Sequence, residues 1–240
     1  MDVNMGIQDD YEKLTSFWNQ ASIDDPYWFV ATKLQFRRDR ISFDEFYADA
    51  KDDMQPLLET IRACCEWVPG DGRCLEFGCG AGRGTVHLAR CFRDVLAYDA
   101  IDNYVSITRN AIERLGIRNV TVSKSGIEIP PPSEPIDLAY SVLVFQHMVP
   151  RMVVHYLSQL CTYLRPGGLL YFQCLTEPEE APEAVAGTNG HSLCGTSLSM
   201  ITSVLNDGGV DIVREVLAQE YTGNHGRSVI IVAKKRSSLV

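Results

Sequence analysis

The chain has no apolar run of membrane-spanning length, no C-x-x-C pair, and fewer basic residues than acidic ones. Each of these absences closes a class of function. A transmembrane helix needs about 20 consecutive apolar residues, and the start, MDVNMGIQDDYEK, is acidic where a secretory signal would be basic. The expectation is a soluble, cytoplasmic protein with no membrane partner. A net charge of −9 works against a nucleic-acid partner, because binding a phosphate backbone depends on clustered Lys and Arg. Arg37, Arg38 and Arg40 are interleaved with aromatic and acidic residues, and Lys234 to Arg236 read as the end of an edge strand.

Cysteine is present but without a disulfide or metal pattern. Cys64, Cys65, Cys74, Cys79, Cys91, Cys161, Cys174 and Cys194 fall mostly in segments that read as helix or strand, where a reduced thiol is a small apolar side chain. A reducing compartment fits that usage. Carboxylates and histidines do not cluster with ligand spacing, so no metal is expected. There is no internal repeat or low-complexity linker, and 240 residues at 45% hydrophobic can bury one substantial core. A single domain over 1–240 is expected, with 1–42 as an aromatic N-terminal extension and 43–240 as its core.

What stands out is Leu75 to Gly84, LEFGCGAGRG. Arg73 to Phe77 read as a short strand, and Gly78, Gly80 and Gly82 then remove side chains where the chain must turn and let a ligand approach the backbone. GTVHLARCF follows with helical spacing. Strand, glycine loop and helix in this order form the context of a nucleotide-cofactor loop. A dinucleotide fingerprint starting at Gly78 would place glycine where Arg83 stands, which argues against NAD and FAD. About twenty residues on, DVLAYDA ends in Asp99, at the interval of an acidic ribose ligand. The competing reading is that Asp99 caps the helix beginning near Asp102.

The E-x-G-x-G-x-G spacing from Glu76 resembles motif I of the class I S-adenosylmethionine-dependent methyltransferases. VFQHM, then a helix over PRMVVHYLSQLCTY, then LRPGGLLYF resembles the middle of the same family, in a bacterial branch with a QH pair after strand four. The resemblance implies an α/β Rossmann-like fold: seven strands, mostly parallel with the last antiparallel, helices on both faces and an N-terminal helical and aromatic lid. It also implies S-adenosyl-L-methionine as cofactor, held by Glu76, Phe77, Gly78, Cys79, Gly80, Gly82, Arg83, Asp99, Ala100, Ser125, Gly126, Ile127, Ser141, Val142 and Gln146. Where the family carries an acidic residue for the adenine amino group, this chain has Ser125.

The remaining elements follow from pattern. Ile136 to Phe145 is almost wholly apolar, as a central parallel strand should be. Pro150 opens a helix that Pro166, Gly167 and Gly168 end. Ser42 and Glu45 match a capping box. A helix from Thr196 to about Asp207 and strands near Val210–Leu217 and Ser228–Ala233 complete the sheet, the last two joined by a hairpin through YTGNHGR. Residues 176–195, rich in Pro, Gly and Glu, are a candidate substrate-side loop. Trp18, Tyr27 and Trp28, around the turn at Asp24 to Pro26, do not look like a simple amphipathic helix and are candidate lid or substrate residues.

His147 is the candidate catalytic residue, because in this fold the substrate meets the reactive methyl after strand four. A histidine of ordinary pKa, about 6.5, takes a proton from a hydroxyl or an ammonium at neutral pH. The alternative is a structural histidine bonded to backbone or lid. Gln146 cannot titrate and is read as orienting the cofactor or lid. His87 and His155 read as packed or surface residues within helices, and His191 and His225 as loop residues. The favoured activity is methylation of a small molecule at oxygen by in-line transfer. Its alternatives are a peptide or protein acceptor such as a carboxylate, and a cofactor-binding module without turnover.

Overall fold

The computed structural model describes residues 3–31, 33–37, 40–49, 51–65, 67–176, 185–186, 192–220 and 227–237. Elements run in the order α1 (Val3–Asp24), α2 (Pro26–Ala31), α3 (Phe43–Asp49), α4 (Lys51–Cys64), β1 (Arg73–Phe77), α5 (Arg83–Cys91), β2 (Asp94–Asp99), α6 (Asp102–Arg114) and β3 (Val120–Lys124). They continue with β4 (Ile136–Ser141), α7 (Pro150–Tyr163), β5 (Leu164–Thr176), the two-residue strands β6 (Val185–Ala186) and β7 (Ser192–Leu193), α8 (Leu198–Asp207), β8 (Val210–Glu220) and β9 (Arg227–Lys235). The main sheet has seven strands in the order β3-β2-β1-β4-β5-β9-β8, and β6 pairs with β7 apart from it. Packing groups the chain into two compact units, Thr15–Gly126, and Met1–Leu14 with Ile127–Val240.

In the first of these units β1, β2 and β3 are parallel, with Leu75 beside Leu96 and Ala97 beside Val122. Cys74 to Phe77 are buried without alternation, which marks a strand covered on both faces. Its core joins Val86, Ala97, Tyr104, Val105 and Ile112 to Phe36, Phe46 and Tyr47 from the segment before the sheet. The capping box at Ser42 is only partly formed, since the Glu45 amide lies 3.5 Å from the Ser42 hydroxyl. The aromatic N-terminal segment is helical, as expected, with α1 22 residues long, and Trp18, Tyr27 and Trp28 are divided between α1 and α2 rather than lying on one amphipathic helix. Its C-terminal turn docks on α6, where the Asn103 side chain donates to the Ser22 carbonyl at 2.7 Å.

In the second unit β4 and β5 are parallel, and β9 is antiparallel to both β5 and β8, as expected of the last strand. Residues 221–226, which carry most of the expected hairpin and His225, lie outside the described residues. So do His191, Arg38 and most of the 176–195 loop. β4 stops at Ser141, four residues before the apolar run ends, and Phe145–His147 form a 3-10 turn. Pro166, Gly167 and Gly168 fall inside β5, where its register against β4 slips between Ile136 and Leu138. The α7 helix has already ended at Tyr163. Ser197 caps α8 by accepting from the Met200 amide. The eight cysteines are free, and among the described residues no helix is long and apolar enough to cross a membrane.

Candidate functional site

The glycine loop takes its shape from three left-handed residues: Gly78, Gly80 and Gly82 have φ of 80°, 53° and 81°. Only glycine adopts these angles without strain. Space is short as well. A Cβ on Gly80 would sit 3.0 Å from the Val30 side chain of α2, and one on Gly82 would sit 2.8 Å from Thr108 of α6.

The polar groups of the loop are matched by its surroundings. Gly78 and Cys79 amides donate to the Tyr98 carbonyl at 2.8 and 2.9 Å. Thr108 donates to the Gly80 carbonyl at 2.7 Å, and the Tyr47 hydroxyl donates to the Ala81 carbonyl at 2.8 Å. His87, a packed residue as expected, has Nε2 2.5 Å from the Tyr47 carbonyl and so ties α5 to α3.

Two buried carboxyls, Glu76 and Asp99, face this loop, and the charge of Arg83 acts on Glu76. Thr85, in the first turn of α5, donates to Glu76 at 2.5 Å. Burial pushes the Glu76 carboxyl up to about 8, against the pull of that hydroxyl. Asp99 accepts from the Gly80 amide at 2.8 Å and from the Ile101 amide at 2.9 Å. Its pKa is also raised by burial, to about 6, with the backbone donors holding it down. Asp99 thus ties the end of β2 to the loop through Gly80 and to the residue before α6 through Ile101, while α6 itself has no side-chain cap. Phe77 and Cys79 are buried, and burial holds the Cys79 thiol well above its ordinary pKa. Arg83 opens α5 and Ala100 follows Asp99. Ser125 is buried, its amide bonded to the Asp99 carbonyl at 2.8 Å, and Gly126 follows it.

Around the same loop stand the aromatic candidates. Tyr27 packs edge-on against Phe46 at 4.8 Å, and Trp18 lies 6.4 Å from Tyr104. Trp28 is buried, with the Arg37 guanidinium 3.6 Å above its ring.

In the other unit the turn after β4 is built on a strained residue. Leu143 has φ of 63°, the one non-glycine with positive φ among the described residues, and it is exposed. Its amide donates to Gln173 Oε1 of β5 at 3.1 Å, and Gln173 donates to Ser228 of β9 at 2.5 Å. Ser141, Gln146, Gln173 and Ser228 are all buried. Gln146 sits beside Gln173 at 3.5 Å and beside His147 Nε2 at 3.4 Å, and its carbonyl accepts the Cys194 amide at 2.8 Å. His147 is half-buried at the end of this turn, and Val142 precedes Leu143. Ile127 is anchored through its carbonyl by His155 and Gln159 of α7, each at 3.1 Å.

Sequence reasoning did not find Thr85, Thr108, Tyr47 or Gln173. Each acts through a bond to a residue at least nine positions away, and none sits in a motif.

Comparison with known proteins agrees with this geometry. Residues 74–168 match the family described as a methyltransferase domain. A curated, uncharacterized methyltransferase of Geobacillus kaustophilus is 28% identical over 130 residues, which are 54% of this chain and 57% of that protein. Its sequence is thus matched over little more than half its length. Among solved structures, magnesium protoporphyrin IX methyltransferase from Synechocystis, with S-adenosylhomocysteine bound, superposes with a TM-score of 0.67 at 18% identity. That match covers 94% of this chain and 99% of the other. The N-methyltransferase NodS from Bradyrhizobium japonicum gives 0.63 at 15% identity, over 92% and 98%. At such identities the structures speak for the fold alone. With the sheet order, the glycine loop and the matched domain together, the chain carries a methyltransferase domain over residues 74–168, on the fold of the S-adenosylmethionine-dependent methyltransferases.

Proposed function

We propose that the chain transfers the methyl group of S-adenosylmethionine to an oxygen of a small molecule. The observation that carries the cofactor is the loop itself: three left-handed glycines against which two buried carboxyls are set. The fit is chemical as well as steric, since a cationic cofactor adds to the positive charge that Arg83 already brings to Glu76 and offsets the burial that raises both carboxyls.

In the unit containing the loop, Glu76, Phe77, Gly78, Cys79, Gly80, Gly82 and Arg83 hold the amino-acid end of the cofactor. Asp99 and Ala100 hold the ribose, and Ser125 and Gly126 the adenine. Asp99 retains lone pairs for ribose hydroxyls beyond the two amides it already accepts. Ile127, Ser141, Val142 and Gln146, which belong to the other unit, are the further cofactor residues that the family resemblance implies. When bound, the cofactor supplies an electrophilic methyl on a good leaving group. What the protein contributes is alignment, exclusion of water by Trp18, Tyr27 and Trp28, and a base.

His147 is that base, taking the proton of the attacking hydroxyl on its imidazole. Gln146 and Gln173 fix the turn that carries it. The test is to incubate the protein with methyl-labelled S-adenosylmethionine and fractionated extract. Label in small molecules as an ether or ester supports the proposal. Label in polypeptide, or binding without transfer, replaces it.

A further inference from the structure

Trp28 carries an unusual pairing. Its indole Nε1 is buried without a hydrogen-bond partner, although only 8% of the residue is exposed. Buried donors are normally satisfied, and leaving one without an acceptor is destabilising. An indole N–H can only donate, so whatever satisfies it must bring an oxygen or nitrogen lone pair.

Arg37 lies across the same ring, its guanidinium carbon 3.6 Å from the centroid, and makes no ion pair among the described residues. Stacking occupies a face of a guanidinium and not its in-plane N–H groups, and those groups grip a planar carboxylate through two bonds. The indole is held in place by Phe29, edge-on at 4.9 Å, which in turn meets Phe17 at 6.0 Å. The location is relevant too: Val30, two residues along α2, is the side chain against which Gly80 of the cofactor loop is packed.

We propose that Trp28 and Arg37 form a carboxylate-binding pair on the N-terminal segment, filled either by the methionyl carboxylate of the cofactor or by a carboxylate on the acceptor. The proposal rests on the cofactor reading given above and adds the chemical group that these two side chains recognise. One donor is buried and neutral and the other exposed and charged, so the ligand group that satisfies both is an anion with at least two acceptor oxygens.

The test uses the full chain with Trp28→Phe, which keeps an aromatic ring and removes the N–H, and Arg37→Gln. Trp28→Phe also removes part of a buried ring, so the thermal midpoint of the ligand-free chain falls by the packing lost, and affinities are compared at a temperature where each variant is folded. Calorimetric titration with S-adenosylhomocysteine and with 5′-methylthioadenosine, the same nucleoside without a carboxylate, then separates the sources. If the cofactor fills the pair, each variant loses about tenfold in affinity for S-adenosylhomocysteine, the scale of one charge-assisted hydrogen bond, and none for 5′-methylthioadenosine. If the acceptor fills it, both affinities hold, and in Arg37→Gln label transfer from S-adenosylmethionine to the carboxylic-acid fraction of an extract falls about tenfold relative to transfer to neutral compounds. Variants that match the wild type in all three measurements, or that lose both nucleosides equally, overturn the proposal. A wild-type chain that binds neither nucleoside overturns the cofactor reading itself.

Discussion

Replacing Gly82 by alanine tests whether the glycine loop is held by its neighbours or merely tolerated by them. At φ of 81° and ψ of 15° an alanine pays the left-handed penalty of about 1–2 kcal/mol. The new methyl carbon would also lie 2.8 Å from Thr108 Cγ2 and 2.9 Å from its Oγ1. Thr108 is fully buried and β-branched within α6, so it has few rotamers to move into. Moving it breaks its 2.7 Å bond to the Gly80 carbonyl, and a buried acceptor left unpaired costs about 1–3 kcal/mol. The sum is a loss of roughly 2–5 kcal/mol, read as a fall in the urea midpoint at unchanged slope. Thr108→Ala supplies the internal control, since it opens the space that the methyl needs. The double variant should be more stable than the sum of the single effects by about 1 kcal/mol or more. Gly82→Ala within about 0.5 kcal/mol of wild type, or a strictly additive cycle, refutes the account of why glycine stands there.

The remaining predictions concern charge, the base and the turn after β4. Glu76 and Asp99 have folded pKa values raised to about 8 and about 6. The folded state therefore holds protons that the unfolded chain has released, and their contribution favours folding least at high pH. Stability of the ligand-free chain falls as pH rises from about 4.5 through about 8, and Glu76→Gln flattens the upper part of that profile; a wild-type profile insensitive to the substitution refutes it. Over the same window a cationic cofactor favours ionised Glu76, so affinity for S-adenosylmethionine rises with pH and binding releases a proton, measurable by calorimetry in buffers of different ionisation heat. His147→Ala lowers label transfer by about 10²–10⁴-fold with S-adenosylhomocysteine affinity intact, and unchanged turnover ends the assignment of a base. Gln173→Leu strips the acceptor from the Leu143 amide and should cost about 1–3 kcal/mol in urea unfolding; no loss means the turn does not depend on it.

Local signals carried the sequence reading a long way around β1, the loop and α5, because glycine spacing and helical periodicity act within a few residues. They failed where a distant partner decides. The apolar run from Ile136 to Phe145 gives no hint that the strand stops at Ser141, since Leu143 turns left-handed only with Gln173, thirty positions on, to receive its amide. The helical N-terminal segment was legible, but not its docking, which depends on groups such as Asn103, 81 positions from Ser22. The Pro166-Gly167-Gly168 stop was placed in a helix because proline and glycine break one, yet here they serve a slip in strand register. Asp99 was legible as an acid at the right interval, but its hold on the Gly80 amide was not.

The clamps on the loop have an evolutionary consequence. The Gly80 and Ala81 carbonyls are taken by Thr108 and Tyr47, which lie on helices separate from the motif. Substitutions in α3 or α6 can thus retune how tightly the donor is held while every letter of LEFGCGAGRG stays fixed. Two descendants of this chain with identical loops need not share an affinity, and drift in donor affinity would be recorded in these helices rather than in the motif.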